Sequence, residues 1–435
     1  MKERMPSKKA YGLIGKTLAH SYSREIHQAL GAYTFDLWEL PPQALAEFLW
    51  QRDFSGVMVT IPYKKEALAA ADQVSPQAKK IGAANILYFD EGGQLWADNT
   101  DYSGFMYMVD RMDLSFKGKN VLILGDGATS GTVSQAVMDL QAASIKIASR
   151  HPERYKGDPP RGKNRVVGCE DLGQGPIVQG YDRDFSDSQI IINTTSVGMY
   201  PNNGEKLIGL EKIPSLEGLI DLIYNPFATA LLLEGQDMGI KTSNGFPMLV
   251  AQATKGAELF LKGVLPQGRT WEDWNEILIS RFEEEYFNRV LIGMPGSGKT
   301  TVGKELAENL HRVFVDTDHL IEEREGQSIL DIFKYKGEPY FRSLEVEIAK
   351  EVGKKRSQVI ASGGGMVLQK DAMDALRQNG EIIWVKAPLD KLGRKGRPLS
   401  GGAKELENMW EEREPLYSKY ADKIINRDGA KIDKI

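Results

Sequence analysis

The sequence predicts an α/β protein built from successive layered units, and three observations carry that prediction. Short apolar runs alternate with helix-period segments along most of the chain, the pattern of helices packed over parallel sheet. Two of those runs pass directly into glycine-rich turns, GKNVLILGDGATSG at 118–131 and NRVLIGMPGSGKT at 288–300. A length of 435 residues is also more comfortable as three units than as one, at roughly 150 residues per domain.

Composition narrows the class. With 41% hydrophobic and 26% charged residues there is ample apolar material for more than one core. A formal net charge of −5, without a long Lys/Arg run, gives no electrostatic footprint for nucleic acid or an anionic membrane, so small molecules are the expected partners. The amino terminus MKERMPSKKA leads into polar, glycine-broken sequence, and no stretch approaches the roughly 18 apolar residues of a membrane span. Neither export nor membrane insertion is expected. Cys169 is the sole cysteine, which excludes an intrachain disulfide and a cysteine zinc cluster and suits a small buried side chain in a cytoplasmic protein.

In chain order, YGLIG at 11–15 reads as the first strand, and SREIHQAL, stopped by Gly31, reads as a helix with Ser23 as its cap. FDLWEL and GVMVTIP repeat the strand signal. The chain restarts at 118 with a strand, a glycine turn and the helix-like TVSQAVMDLQA. SIKIASR, QIIINTTS and GLIDLIY supply further buried strands, each separated by enough chain for a crossover, so a sheet of mononucleotide-binding type follows. WEDWNEILISRFEEEYF, free of glycine and proline, reads as a bridging helix over 271–287, with the boundary near Glu283 to Asn288. The predicted division is 1–104, completed by about 245–270; then 105–244; then, beyond the bridge, 288–435.

GMPGSGKT at 293–300 has the G-x-x-x-x-G-K-[ST] spacing of a phosphate-wrapping loop. Backbone N–H groups there satisfy phosphate oxygens, Lys299 neutralises β/γ charge and Thr300 is placed to ligate Mg²⁺. VFVDTDHLIEE then sets Asp316 and Asp318 two residues apart, and on an extended strand both carboxylates face one side, one for metal and one for substrate. A helix cap or solvated turn is the bland alternative. FRSLE (Arg342, Glu345), SGGG (Ser362 to Gly365), GRPL (Arg397) and EREPLY (Arg413, Tyr417) follow.

Taken in this order, the motifs make the last 150 residues similar to shikimate kinase. The resemblance implies a P-loop kinase domain with a parallel sheet, ATP as phosphoryl donor and shikimate as acceptor. Asp318 would hold the shikimate hydroxyls, Arg342 and Arg413 its carboxylate, and Gly363, Gly364 and Gly365 would approach it with their backbone. Gly293, Gly296, Ser297, Gly298, Lys299, Thr300 and Thr301 would surround the nucleotide, Arg397 would close over the phosphates, and Thr300 with Asp316 would hold Mg²⁺. Lys299 and Asp318 are the catalytic candidates. The lid stretch from Pro388 through LDKLGRKGRPLSGGAKEL is shorter than is usual for that family, which bears on the role of Arg394.

The first 280 residues carry a second set. GKTLAHSYS offers Ser21 and Ser23, VTIPYKKEA offers Thr60 and Lys64, GAANILY offers Asn85 and ADNTDYSGF offers Asp101. Singly, each has a bland reading: a serine cap, a solvated lysine beside Lys65, an N-T-D turn. Together with INTTSVGM, DLIYNPFATALL and NGFPMLVAQA they make residues 10 to 265 similar to shikimate dehydrogenase. The resemblance implies an α/β substrate lobe and a Rossmann-like NADP-binding lobe, with reversible NADP(H)-linked reduction of 3-dehydroshikimate. It places Ser21 and Ser23 on the carboxylate and Thr60, Asn85, Asp101 and Gln252 on the hydroxyls. Lys64 with Asp101 would form the catalytic pair at the reacting oxygen. Tyr224 and Asn193 would lie near substrate and cofactor, with Gly245 among the cofactor contacts; core packing is an equal reading of Tyr224. Reduction of a carbonyl builds an alkoxide that an ammonium neutralises and protonates while a carboxylate orients it.

The cofactor loop departs from its family. It reads Gly125, Asp126, Gly127, Ala128, Thr129, Ser130, with Gly131 one place late for G-x-G-x-x-G. A carboxylate at Asp126 is unfavourable beside a pyrophosphate unless it points away. After the second strand of this unit stand Ser149, Arg150, His151 and Arg154, where an NAD enzyme puts Asp or Glu. Positive charge there favours a 2′-phosphate, hence NADP; a solvated basic loop is the alternative. The expected protein is thus a bifunctional enzyme. A kinase fused to a quinate or other polyol dehydrogenase, and a non-catalytic metabolite sensor, are the alternatives; retention of Lys64, Asp101, Lys299, Asp318 and Arg413 argues against the sensor.

Overall fold

The computed structural model describes residues 10–18, 21–150, 164–168 (backbone), 185–392 and 403–427, and among these described residues seventeen strands form three sheets. His151, Arg154, Cys169, Arg394 and Arg397 lie outside the described residues. The first sheet holds β1 (Tyr11–Gly15), β2 (Phe35–Glu39), β3 (Gly56–Val59), β4 (Gln73–Val74), β5 (Ile86–Phe89) and β6 (Leu95–Asp98), in the order β2-β1-β3-β5-β6-β4. β1 pairs in parallel with β2 and β3, but β5 runs antiparallel to both β3 and β6. The expectation of purely parallel sheet therefore fails here. Only residues 90–94 separate β5 from β6, too few for a crossover, and Asp90 closes the turn by accepting from the backbone of Gln94 at 2.9 Å and from the Trp96 indole at 3.0 Å.

The second sheet is parallel throughout, with β7 (Asn120–Leu124), β8 (Ser144–Ser149), β9 (Asn164–Gly168), β10 (Ile190–Asn193), β11 (Gly218–Asp221) and β12 (Lys241–Asn244) in the order β12-β11-β10-β7-β8-β9. Strand order reverses beside β7, so the crevice at its carboxyl end is the natural ligand position of such a sheet. The third sheet, β13 (Asn288–Ile292), β14 (Val313–Asp316), β15 (Gln358–Ala361), β16 (Gly380–Lys386) and β17 (Lys423–Asn426), is also parallel, in the order β14-β15-β13-β16-β17. Its central strands are largely buried, with apolar stretches such as VLI in β13 and VIA in β15, as expected for parallel strands of an α/β sheet.

Two compact units result. One comprises residues 1–197, 206–224 and 234–281 and contains the first two sheets; the other comprises 282–435 together with 198–205 and 225–233. Within the second unit the Phe227 amide donates to Asn379 Oδ1 at 3.1 Å and the Ala228 amide to the Gln378 carbonyl at 2.8 Å. The predicted bridging helix is Trp271–Tyr286. Two local expectations change. Ser23 is the first residue of the helix Ser23–Ala29 and does not cap it; Ser21 Oγ instead accepts the Ser23 amide at 3.2 Å. Asp318 is not on a strand: Asp316 ends β14 and its carboxylate accepts the Asp318 amide, starting the helix Thr317–Glu325 one residue later. Among the described residues no helix is long and apolar enough to cross a membrane.

Candidate active sites

In the first unit, the chain leaves β3 through Thr60, whose amide donates to the Ile14 carbonyl at 2.9 Å, and enters the helix Lys64–Ala70. Lys64 thus stands in a first turn. Facing it is another helix start, Thr100–Arg111, where the Asn99 side chain caps by accepting the Tyr102 amide at 3.2 Å; N-T-D is a helix entry, not a free turn. Lys64 Nζ meets Asp101 Oδ2 at 2.5 Å, with the two side chains only 11% and 13% exposed. Away from bulk water such a pair interacts strongly, and each partner fixes the other's position.

A polar cluster adjoins this pair. Asn85 is buried and its Oδ1 accepts the Thr100 amide at 2.7 Å, while its Nδ2 donates to Thr100 Oγ1 at 3.1 Å and to Gln252 Oε1 at 3.4 Å. Gln252 comes from the helix Phe246–Phe260 and anchors its own Nε2 on the Leu249 carbonyl at 3.0 Å. Contacts therefore connect Asn85 and Gln252 through Thr100 to the helix start carrying Asp101. Ser21 and Ser23 place their hydroxyls 3.1 Å apart, and Tyr22 between them packs on Tyr224 with ring centroids 5.4 Å apart. Burial pushes the Tyr224 phenol up.

The glycine loop follows β7. Gly125 has φ +103°, and a Cβ there would lie 2.8 Å from Thr194 Oγ1, so only glycine serves at this turn. Gly127 and Ala128 open the helix Ala128–Asp139, with no atom within 4 Å of a Cβ position at Gly127. An open helix start of this kind fits a pyrophosphate. Asp126 points away from it: its Oδ2 accepts the Ser149 hydroxyl at 2.6 Å at the end of β8. Arg150 is exposed. Asn193 is engaged within the fold. It is buried, donates to Asp221 Oδ1 at 3.0 Å and accepts from the Thr195 amide and hydroxyl at 3.0 and 2.7 Å, shaping the loop after β10. Gly245 lies against the backbone of Leu222, whose carbonyl oxygen a Cβ would meet at 2.0 Å.

In the second unit, β13 runs into the loop of Gly293, Gly296, Ser297 and Gly298, and the helix Lys299–Asn309 begins there. Lys299 Nζ donates to the carbonyls of Gly293 and Met294 at 2.8 and 3.1 Å. Thr300 Oγ1 donates to Asp316 Oδ2 at 2.9 Å. This hydroxyl and carboxylate are hard oxygen donors beside the phosphate loop, which fits an Mg²⁺ that keeps several waters. The loop forms part of a cavity of about 560 Å³ whose lining includes Thr301, Asp318, Arg342, Glu345, the glycine triplet and Arg413.

Across that cavity the helix Glu338–Gly353 presents Arg342, whose NH1 meets Glu345 Oε2 and whose NH2 meets Glu338 Oε1, both at 2.7 Å. A Cβ at Gly363 would lie 2.6 Å from Asp318 Oδ1 and 2.9 Å from Glu345 Oε1, so the bare backbone keeps this corner open. Gly365 is as close to the Arg342 guanidinium. The Gly364 carbonyl accepts from Arg413 NH1 at 3.0 Å and Tyr417 Oη at 2.7 Å. Burial, joined by the charge of Asp316, pushes the Asp318 carboxyl up to about 6. Burial likewise pushes Glu345 up to about 7, against the pull of Arg342.

Glu345 and Arg427 are among the cavity residues that had no role from sequence. Glu345 follows Arg342 at helical i+3 spacing, a signal that was present in FRSLE. Arg427, beyond β17, donates NH1 to the Ser297 carbonyl at 3.2 Å, and no motif marked it.

The family model for the shikimate dehydrogenase substrate binding domain matches residues 13–87, and that for shikimate kinase matches residues 295–435. A shikimate dehydrogenase (NADP(+)) of Clostridium perfringens is 31% identical over 282 residues, 63% of this chain and 100% of that protein. One from Caldicellulosiruptor bescii is 35% identical over 257 residues, 55% of this chain and 85% of its own length. Among solved structures, a chorismate mutase/shikimate 5-dehydrogenase fusion protein from Clostridium acetobutylicum aligns with TM-score 0.53 and 31% identity, covering 64% of this chain and 99% of its own. The shikimate 5-dehydrogenase of Thermus thermophilus, solved in complex with NADP(H) and shikimate, aligns with TM-score 0.52 and 29% identity, covering 62% and 98%.

Proposed function

Because the chain belongs to the shikimate dehydrogenase family over 63% of its length and carries a shikimate kinase domain behind it, we propose that it reduces 3-dehydroshikimate with NADPH and then phosphorylates the shikimate formed, using Mg·ATP. The product is shikimate 3-phosphate. In this reading residues 1–104 with about 245–270 form the substrate lobe, 105–244 the NADP lobe, 271–287 the bridge and 288–435 the kinase. The observation that carries it is the single cavity in which the phosphate loop meets Asp318, Arg342, Arg413 and the glycine triplet, a set suited to a hydroxylated carboxylate beside a nucleotide.

For the reduction, Lys64 donates a proton to the carbonyl oxygen as charge develops there, and Asp101 holds the ammonium in place. NADPH, when bound, supplies the hydride. Ser21 and Ser23 direct two hydroxyls at the substrate carboxylate, while Thr60, Asn85 and Gln252 fix its ring hydroxyls and Tyr224 bounds the pocket. Gly127 and Ala128 leave room for the dinucleotide, Gly125 and Gly245 let the backbone beside it pack closely, and Ser149 and Arg150 lie toward its adenosine end.

For the transfer, Lys299 moves from the loop carbonyls to the β/γ phosphates, and Arg342 and Arg413 hold the shikimate carboxylate. Asp318, poised near the working pH, orients the attacking hydroxyl and takes its proton. Thr300 and Asp316 would hold Mg²⁺, which neutralises phosphate charge when bound.

The test supplies 3-dehydroshikimate, NADPH and Mg·ATP to the purified chain and follows both products by mass spectrometry. Shikimate 3-phosphate is expected. Accumulation of shikimate alone refutes the kinase half, and turnover of quinate but not shikimate refutes the assigned substrate of the first half.

A further inference from the structure

We infer that Asp126 is a specificity-determining residue of the dinucleotide site, which weakens the hold on a 2′-phosphate and lets the chain take NADH alongside NADPH. This rests on the dinucleotide reading above. β7 and β8 are parallel neighbours, with Leu124 opposite Ala148 and the Gly125 amide on the Ala148 carbonyl at 2.8 Å. The residues that follow, Asp126 on one strand exit and Ser149 and Arg150 on the other, are therefore brought together. Ser149 is fully buried, and its hydroxyl donates to Asp126 Oδ2 at 2.6 Å, a charge-assisted bond that fixes the carboxylate at the end of β8.

In open dinucleotide-binding sheets the end of the second strand is where an acidic residue accepts the ribose 2′-hydroxyl. Here β8 ends on Ser149, with Arg150 following, and carries no acid, but the glycine loop delivers one to the same place. With Oδ2 engaged by Ser149, Oδ1 is the oxygen left for a ribose hydroxyl. A 2′-phosphate brought to that place sets like charges side by side, in a half-buried setting where solvent screens them poorly. Arg150 attracts the same phosphate but is exposed, so water and salt reduce its pull. The two side chains oppose each other, and the outcome is a small discrimination instead of a strict one.

The experiment measures direct binding by calorimetry to the full-length chain, wild type and Asp126→Asn. The probes are NADPH and NADH, and also 2′,5′-ADP and 5′-AMP, which confine the readout to the adenosine end. Asparagine keeps an acceptor for Ser149, and Asp126→Ala serves as a second variant should the first misfold. The wild type is expected to bind NADPH and NADH within about tenfold of each other, and Asp126→Asn to tighten NADPH and 2′,5′-ADP by about tenfold, the effect of roughly one removed charge contact, with NADH unchanged or weaker. An unchanged ratio in both variants overturns the role of Asp126 while leaving the dinucleotide site standing. Failure of the wild type to bind any of the four probes overturns both.

Discussion

The Asp318 amide donates to Oδ1 of Asp316 at 3.1 Å, so two carboxylates two positions apart in sequence do different work in the fold: one caps a helix and the other rides in its first turn. Asp316 also accepts from Thr300, whereas Asp318 Oδ1 is buried without a partner in the cavity. Their isosteric variants should therefore fail differently. Asp318→Asn is expected to lower the kinase kcat by about 10²–10³ with little rescue by added metal. Asp316→Asn should raise the Mg²⁺ requirement and recover partly at high metal. Steady-state kinetics across an Mg²⁺ series distinguishes them, and identical behaviour would refute the division.

Lys64→Ala removes the ammonium proposed to protonate the reacting oxygen and should lower NADPH oxidation by about 10²–10⁴, the range for a lost general acid. Each site draws its residues from one unit, so shikimate-dependent ATP consumption should stay near wild type. The two rates, measured on one preparation, check this; a parallel loss in both would count against two independent sites.

The two buried carboxyls give a pH signature. Asp318 rises from 3.8 to about 6 and Glu345 from 4.5 to about 7, burial being the main cause of each. A native pKa above the unfolded value contributes stability that is full below the unfolded value and is lost as pH rises through the native one. The ligand-free second unit should thus lose stability between about pH 4 and pH 7, and the double variant Asp318→Asn, Glu345→Gln should lose less over that window. Urea midpoints at several pH values measure it. Kinase turnover should show the opposite limb, falling as pH drops below about 6 because Asp318 then holds its proton, and Asp318→Asn should lack that limb.

Gly363→Ala would push a methyl group between Asp318 and Glu345. The expected result is a KM for shikimate raised by about tenfold or more, with ATP affinity within about twofold, since the glycine lies beside Asp318 and Glu345, the proposed acceptor side of the cavity. A rise in the ATP KM instead would relocate the triplet's role.

Two strand–turn–helix starts were legible in the sequence because glycine turns are local: the entries at Gly127 and Lys299 fell where the motifs stood, whereas the helix entries at Lys64 and Asp101 were not read, N-T-D having the local look of a turn. What depended on long-range pairing was not. The side-chain direction of Asp126 is decided by a serine 23 residues away. Glu345 is buried with Gly363, from a distant turn, beside it, and the side-chain amide of Asn193 donates to Asp221 on the next strand. The Asp316–Asp318 spacing was read with strand periodicity, and the error came from a cap that ends the strand between them. β5 and β6 turned antiparallel through a five-residue connection that alternation of helix and strand signals cannot reveal.

Arg413 already rests on the Gly364 carbonyl, shared with Tyr417, and is only 4% exposed. A long, flexible cation would ordinarily surrender rotamer freedom when it grips an anion, at about 0.5–1.5 kcal/mol for each such side chain. Here that entropy is forfeited during folding, before any ligand arrives. Capture of a carboxylate at this end of the cavity should consequently be dominated by enthalpy, and fragments much smaller than shikimate, bearing little more than a carboxylate, should already compete for it.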